Sequence, residues 1–171
     1  MEKFINFPVL FLAAAVSLLI GFIWYHPKVF GTVWMRETGM TMDDGKKPKM
    51  ALIFSLVYIY SVFIAFIMCF ITVHQMGALG MIGGPEFIDK AEPSYGQFIS
   101  DYGTAFRTFK HGALHGFMTG LLFVLPMVAI NSLFEKRSWK YILVTGFYWV
   151  IVCMLMGGIV CGWSPDGFHL T

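Results

Sequence analysis

The sequence predicts an all-α, polytopic membrane protein with four transmembrane helices in a compact bundle and an amphipathic helix in the second connection. The 171-residue chain is 57% hydrophobic and 13% charged, whereas a soluble domain is about 45–50% apolar and about a quarter charged. The charges are also segregated. Four long stretches contain no Asp, Glu, Lys or Arg: 4–27, 50–85, 111–134 and 141–165. A bilayer imposes this segregation, and a water-soluble core does not.

Each charge-free stretch is long enough to cross a membrane, because about 20 apolar residues span about 30 Å of hydrocarbon. We place the spans of this single membrane domain at about 5–24, 51–74, 112–134 and 141–163. The first span is expected to stay as an anchor, since its apolar run is longer than that of a cleaved signal peptide. Pro126 is expected to kink the third span, because proline removes one backbone donor.

The distribution of basic residues predicts an orientation. The first and third connections carry eight of the twelve Lys and Arg residues, and the remaining four lie on the opposite side. Because cytoplasmic loops are enriched in Lys and Arg, we expect the first and third connections to be cytoplasmic and both termini to face outwards.

The second connection, about 77–110, is expected to contain a break and then a helix. Small or helix-breaking residues interrupt the apolar run: Gly77, Gly80, Gly83, Gly84 and Pro85. Ser94 and Gln97 form a capping-box pattern, and apolar residues then share one face of an amphipathic helix predicted over 95–109. Such a helix can lie in the outer headgroup region, cover the bundle as a lid or dock another protein.

Small residues recur every fourth position in the spans and indicate close helix packing. Close backbone approach along such ridges supplies van der Waals contact and weak hydrogen bonds within lipid. The predicted packing residues are Ala13, Ser17, Gly21, Gly112, Gly116, Gly120 and Gly157.

Histidines are the ionisable side chains inside or at the edges of the apolar stretches, and they are the candidate ligands. His111 and His115 are four residues apart, on one helix face, and His74 closes the second predicted span at the same outer end of the bundle. Neutral imidazoles at such positions can bind a transition metal or, across two helices, a haem. Asp101 or Thr119 is a candidate oxygen ligand. The alternative is structural, since an interfacial histidine also satisfies backbone carbonyls or water.

Other classes of function are disfavoured. The net charge of +2 and the absence of a basic stripe argue against nucleic-acid binding. The sequence has no GxSxG motif, no Walker-type loop and no carboxylate within a predicted span, so we expect a non-enzymatic protein.

Two blocks of sequence resemble a bacterial membrane-protein family known as domain of unknown function 1761. The first runs from Trp24 to Gly31 and continues to Trp34, and the second runs from Asn131 to Lys140 and continues through Trp149 to Trp163. The resembling positions are Trp24, Tyr25, Pro27, Gly31, Trp34, Asn131, Glu135, Trp139 and Trp149. The resemblance implies a four-span protein of a bacterial inner membrane and carries over no catalytic or binding residue. Each block also has a structural interpretation, as a helix end and as a tight turn between antiparallel helices.

Three functional hypotheses follow. The leading one is a protein that acts in the lipid bilayer through association, as a homo-oligomer or as an accessory subunit of a membrane complex. The second is metal or haem binding by the outer histidines. The third is a small-solute or ion path through an oligomer.

Overall fold

A computed structural model describes residues 3–46 and 49–165, and within these ranges the chain is helical and contains no strand. The α-helices are α1 (Phe7–Trp24), α2 (Thr32–Thr38), α3 (Lys49–Thr72), α4 (His74–Met81), α5 (Pro93–Tyr102), α6 (Phe109–Thr119), α7 (Leu125–Phe134) and α8 (Trp139–Gly162). Short π-helical segments cover Pro27–Gly31 and Gly120–Val124, and 3₁₀ turns cover Asp44–Lys46 and Pro85–Lys90.

Four helical units of the described chain are long and apolar enough to cross a membrane. They are α1, α3, the continuous unit Phe109–Phe134 and α8. This confirms the predicted fold class, with bounds that differ from the predicted spans by two to three residues at most ends. Most of the large exposed side chains on these helices are apolar, as a lipid-facing surface requires.

Side-chain caps fix where three of the spans begin. Asn6 accepts a hydrogen bond from the Val9 N–H, and Thr108 and Ser138 do the same for the amides three residues ahead of them. Asn, Thr and Ser are favoured at this position because each satisfies a backbone donor that has no partner within the helix. The caps therefore set the register with which each span enters the bundle.

The helix α8 lies at the centre of the bundle. Its apolar stretch is 50% buried, against 11–22% for the other three spans, and its most extensive contact is with α6. The glycine ridge makes this contact possible: a Cβ on Gly112 would lie 2.2 Å from the Gly157 carbonyl oxygen, and one on Gly116 would lie 2.1 Å from the Cys153 carbonyl oxygen. A Cβ on Gly120 would lie 2.6 Å from the Val150 Cα. The two backbones are thus in direct contact.

The predicted packing residues of α1 face the same interior. Ala13 and Ser17 are fully buried, and the Ser61 hydroxyl of α3 donates to the Ser17 hydroxyl oxygen at 2.7 Å. Tyr148 of α8 donates to the Ser17 carbonyl at 2.9 Å, and a Cβ on Gly21 would lie 3.7 Å from the Tyr148 hydroxyl oxygen. Buried polar groups in lipid need such partners. The two hydrogen bonds to Ser17 join α1, α3 and α8 near the middle of the bundle.

The third span is interrupted where the sequence contains Pro126. The π-helical segment Gly120–Val124 immediately precedes Leu125 and Pro126. Because proline cannot donate to the carbonyl one turn earlier and crowds it, a widened turn relieves the conflict. The expected irregularity therefore takes the form of a π segment.

The second connection differs from its prediction in three respects. Gly77 and Gly80 lie within α4, held in place by the burial of Gln75, Met76 and Leu79, and the break follows at Gly83 and Gly84, both with positive φ.

The predicted capping box does not form. Glu92 is the N-cap residue, Pro93 is the first residue of α5, and Gln97 bonds Asp101 instead. The helix also ends at Tyr102 and not at 109, because a turn with Phe106 at φ 61° follows it. Tyr95 and Ile99 are buried in the core, so this face of α5 packs on the rest of the protein.

Candidate metal centre

Three histidines meet at the bundle end that contains the start of α6 and the end of α3. His74 is the first residue of α4, and an extended residue, Val73 (φ −100°, ψ 99°), separates it from α3. This break turns His74 toward α6, where His111 and His115 stand one turn apart. Two separate helices therefore supply the three imidazoles.

The three rings lie within ligand-sharing distance. His74 Nε2 and His111 Nε2 are 2.8 Å apart and form a hydrogen bond, and one ligand nitrogen from each of the three rings lies within 4.8 Å of the others. The ring centroids are 4.5–5.1 Å apart. Nitrogen ligands of a tetrahedral zinc ion, each about 2.0–2.1 Å from the metal, stand about 3.4 Å from one another. The observed separations, from 2.8 Å up to 4.8 Å, bracket that distance.

The cluster is accessible from outside the protein. His74 is exposed, and His111 and His115 are half-buried. An incoming ion can therefore reach the imidazoles without opening the bundle. Of the described residues, the group consists of these three histidines and holds no carboxylate or thiol.

The glycine ridge holds α6 in place beside the cluster. Gly112 and Gly116 each follow a candidate ligand in sequence and contact the α8 backbone. Because neither helix can slide or separate without losing this contact, the positions of His111 and His115 are fixed relative to α8.

A loop closes one side of the cluster. The ring of Phe106 lies 5.1 Å from the His111 ring and 6.1 Å from the His74 ring, centroid to centroid. Gln75 Nε2 donates to the carbonyls of Tyr102 and Ala105, at 2.7 and 3.0 Å. The Cys161 thiol lies within hydrogen-bond distance of two carbonyls, that of Thr72 at 3.4 Å and that of Phe106 at 3.5 Å. The neighbour of His74 in sequence thus anchors the loop that contacts His74 in space.

Arg107 extends this anchoring to the end of α8. Its guanidinium donates to the hydroxyl oxygen of Ser164 at 2.8 Å, to the Ser164 carbonyl and to the Gly103 carbonyl. Nothing in the local sequence pattern indicates these roles. A positive φ at a phenylalanine has no local signal, and a buried glutamine is recognisable only from its partners.

Asp101 is not part of the histidine group, and both candidate oxygen ligands have other hydrogen-bond partners. Asp101 accepts hydrogen bonds from Gln97 at 3.1 and 3.2 Å, and Thr119 donates to the His115 carbonyl at 2.8 Å. The 2.8 Å contact between His74 and His111 also leaves no space for a porphyrin between these two rings. The donor set that remains is three imidazoles.

The family-type residues lie at the opposite end and build the helix ends there. The Trp24 indole N–H donates to the Val144 carbonyl at 2.9 Å, and Tyr25 packs against the rings of Trp34 and Tyr148. Pro27 starts the π-helical turn, and a Cβ on Gly31 would lie 2.1 Å from the Tyr25 carbonyl oxygen. These contacts fix the path of the chain from α1 into α2.

The second family block forms the turn between α7 and α8. Glu135 donates its backbone N–H to the Asn131 carbonyl, and its carboxylate is 3.4 Å from the Arg137 guanidinium. Trp139 is exposed at the start of α8, and Trp149 is half-buried against Tyr148.

A hydrogen bond ties this turn to α2. The Ser138 hydroxyl donates to the Glu37 carboxylate, and Arg137 donates to the Glu37 carbonyl at 3.4 Å. The Ser138 bond, helped by nearby Arg36, holds the pKa of Glu37 below its usual value.

The fold and the cluster together define a four-span membrane protein with a candidate metal centre at one end of its bundle. The chain belongs to the family described as "Protein of unknown function (DUF1761)", whose model matches residues 9–161. This confirms the resemblance carried by the two sequence blocks. No curated protein and no solved structure matches the chain.

Proposed function

We propose that this membrane protein binds a first-row transition metal ion, of the Zn²⁺, Cu²⁺, Ni²⁺ or Co²⁺ class, through His74, His111 and His115. The convergence of three imidazoles from two helices carries the proposal. Imidazole suits these metals, whereas Mg²⁺ and Ca²⁺ prefer oxygen ligands, which the cluster lacks. Three protein ligands also leave a fourth coordination position open to water or another donor.

We propose a binding role and no catalysis. A metalloprotease site of the HExxH type uses a glutamate beside the metal as a general base, and the described group contains histidines alone, so this hydrolytic class is not supported. The direct backbone contact between α6 and α8 further supports a site that holds an ion instead of passing it through the bundle. A small-solute path through an oligomer is the weaker alternative, because no described feature favours it.

The test uses the full chain in mild detergent, stripped with chelator and then equilibrated with Zn²⁺. We expect about one zinc per chain by elemental analysis in the parent protein. The double variant His111→Ala plus His115→Ala should retain none. His26→Ala is the matched control, since His26 lies at the other end and accepts a hydrogen bond from the Lys28 amide; it should bind like the parent. Absence of stoichiometric zinc in the parent, or full retention in the double variant, would overturn the proposal.

We further propose that the metal centre faces the outside of a bacterial inner membrane, with both termini on that side. The excess of Lys and Arg in the first and third connections supports this orientation, and the family resemblance supports the membrane. A membrane-impermeant thiol reagent applied to intact spheroplasts should label Lys90→Cys, in the second connection, and spare Lys136→Cys, in the third. The reverse labelling pattern would show that the orientation is opposite to the one proposed.

Association, as a homo-oligomer or as an accessory subunit, is a second proposed role. Aromatic side chains exposed on the second connection support it, namely Phe87, Phe98 and Tyr102. The glycine ridges do not support it, because they are occupied within the protomer. A single oligomeric mass by light scattering in mild detergent would agree with this role, and a dispersed monomer would contradict it.

A further inference from the structure

We propose that Phe106 covers the histidine cluster and slows the exchange of its metal. This inference rests on the proposed function, since it concerns the regulation of the same site. Phe106 supplies no ligand atom, and its role would be in metal exchange.

The position of the Phe106 ring is the first observation. It lies against two of the three candidate ligands, at 5.1 Å from the His111 ring and at 6.1 Å from the His74 ring. The side chain is nevertheless 65% exposed. A ring that contacts the imidazoles on one side and is open on the other lies between part of the cluster and its surroundings.

The backbone of the loop is the second observation. Phe106 has φ 61°, a conformation that a bulky residue rarely adopts. Contacts from outside the loop hold it there: Gln75 donates to the carbonyls on the N-terminal side. The Cys161 thiol also lies 3.5 Å from the Phe106 carbonyl and 3.4 Å from the Thr72 carbonyl, and these two acceptors share its single proton. An unfavourable backbone conformation persists where its surroundings enforce it. The enforced conformation is the one that places the ring over His111 and His74.

The chemistry of the bound state gives the ring its effect. A metal ion makes the three imidazoles part of a cationic centre, and the face of an aromatic ring attracts a nearby cation. The ring also limits the approach of water or a competing ligand to the open coordination position. Both effects retard release of the metal, whereas the three nitrogen ligands themselves are unchanged.

The experiment measures the rate at which bound Zn²⁺ leaves the detergent-solubilised full chain after excess chelator is added. Phe106→Ala retains a Cβ, so the cost of the positive φ remains while the ring is lost. We expect about fivefold faster release, with one zinc per chain still bound at saturation. Phe106→Tyr restores the ring and should release within about twofold of the parent.

Phe98→Ala is the matched control for general loosening of the second connection. Phe98 is also an exposed aromatic residue of the second connection, and its recorded ring partner is Tyr102, not a histidine. It should exchange zinc at the parent rate. If Phe106→Ala does not fold, Phe106→Leu replaces it under the same criterion.

Three results would overturn the inference: release from Phe106→Ala within twofold of the parent, equal acceleration in Phe98→Ala, or loss of stoichiometric zinc in Phe106→Ala. Failure of the proposed function has a different outcome, because the parent protein itself would then bind no zinc.

Discussion

Substitution of Gly116 by alanine should separate α6 from α8 and destabilise the bundle. The added Cβ would lie 2.1 Å from the Cys153 carbonyl oxygen, 2.8 Å from its carbonyl carbon and 3.0 Å from the Met154 Cα. All three are backbone atoms, so no side-chain rotation relieves the conflict. Ordinary contact requires the helices to move apart by about 1 Å at this level, which forfeits much of the dispersion energy along the ridge.

The expected cost is that of overpacking a tightly packed interior, about 1–3 kcal/mol. For a chain of this length each kcal/mol corresponds to about 2–4 °C in Tm, so we expect a loss of several degrees in a thermal unfolding assay in detergent. The displacement also shifts His115, the residue before Gly116, from its present position beside His74. Zinc affinity should therefore fall together with stability.

Gly77→Ala is the matched control because it makes the same chemical change with the opposite predicted sign. Gly77 lies within α4, and a Cβ there would meet nothing within 4 Å. Alanine at an open helical position stabilises by about 0.5–1 kcal/mol relative to glycine. If Gly116→Ala proved as stable as Gly77→Ala, the backbone contact between α6 and α8 would be refuted.

Two further predictions concern polar contacts elsewhere. Ser61→Ala removes the 2.7 Å hydrogen bond to Ser17 and should lower the free energy of unfolding in detergent by about 0.6 kcal/mol, up to about 1.7. Ser55→Ala, which loses a hydrogen bond within its own helix, should cost less. Equal losses of stability in the two variants would contradict the interhelical role of Ser61. The Ser138 hydroxyl holds the pKa of Glu37 below its usual value. The charged carboxylate therefore contributes stability that is fully present above the unfolded-state pKa of about 4.3. This stability is lost as the pH falls through the lower folded-state pKa. The Tm of the parent should therefore fall as the pH drops below about 4.3, and the Tm of Glu37→Gln should fall less. An unchanged pH profile in this variant would contradict a stabilising contact between Glu37 and Ser138.

Much of the fold follows from local pattern. Charge-free stretches of about 25 residues admit one structure in a bilayer, because every backbone donor and acceptor must be satisfied within the segment. The regular spacing of Gly112, Gly116 and Gly120 likewise indicates a packing ridge. Which helix that ridge contacts depends on how four spans are arranged around α8, and spacing alone does not contain this information.

The second connection shows where local pattern misleads. Ser94 and Gln97 match a capping box, yet Pro93 begins α5 one residue before Ser94. Gly77 and Gly80 suggest a loop, but burial of Met76 and Leu79 against the bundle keeps α4 helical. At α4, tertiary contacts outweigh propensities of about 1 kcal/mol or less per residue. At α5, a second local signal, proline at the first helical position, sets the start of the helix.

The candidate site, too, was predictable from the sequence only in part. His111 and His115 are paired by the 3.6-residue helical period, so their common face was predictable from sequence alone. The approach of His74 depends on the break at Val73, and the placement of Phe106 depends on contacts from Gln75 and Cys161. These partners are distant in sequence and become neighbours only when the spans pack.

By itself the sequence determined that this protein crosses a membrane four times and that its ionisable candidates are histidines, because hydropathy and helical period are properties of neighbouring residues. The tertiary structure alone decided that three of those histidines share one site, which ring stands over them and which ridge holds them in place. The physical reason is that these contacts join residues far apart in the chain, and their geometry is set by close packing between helices.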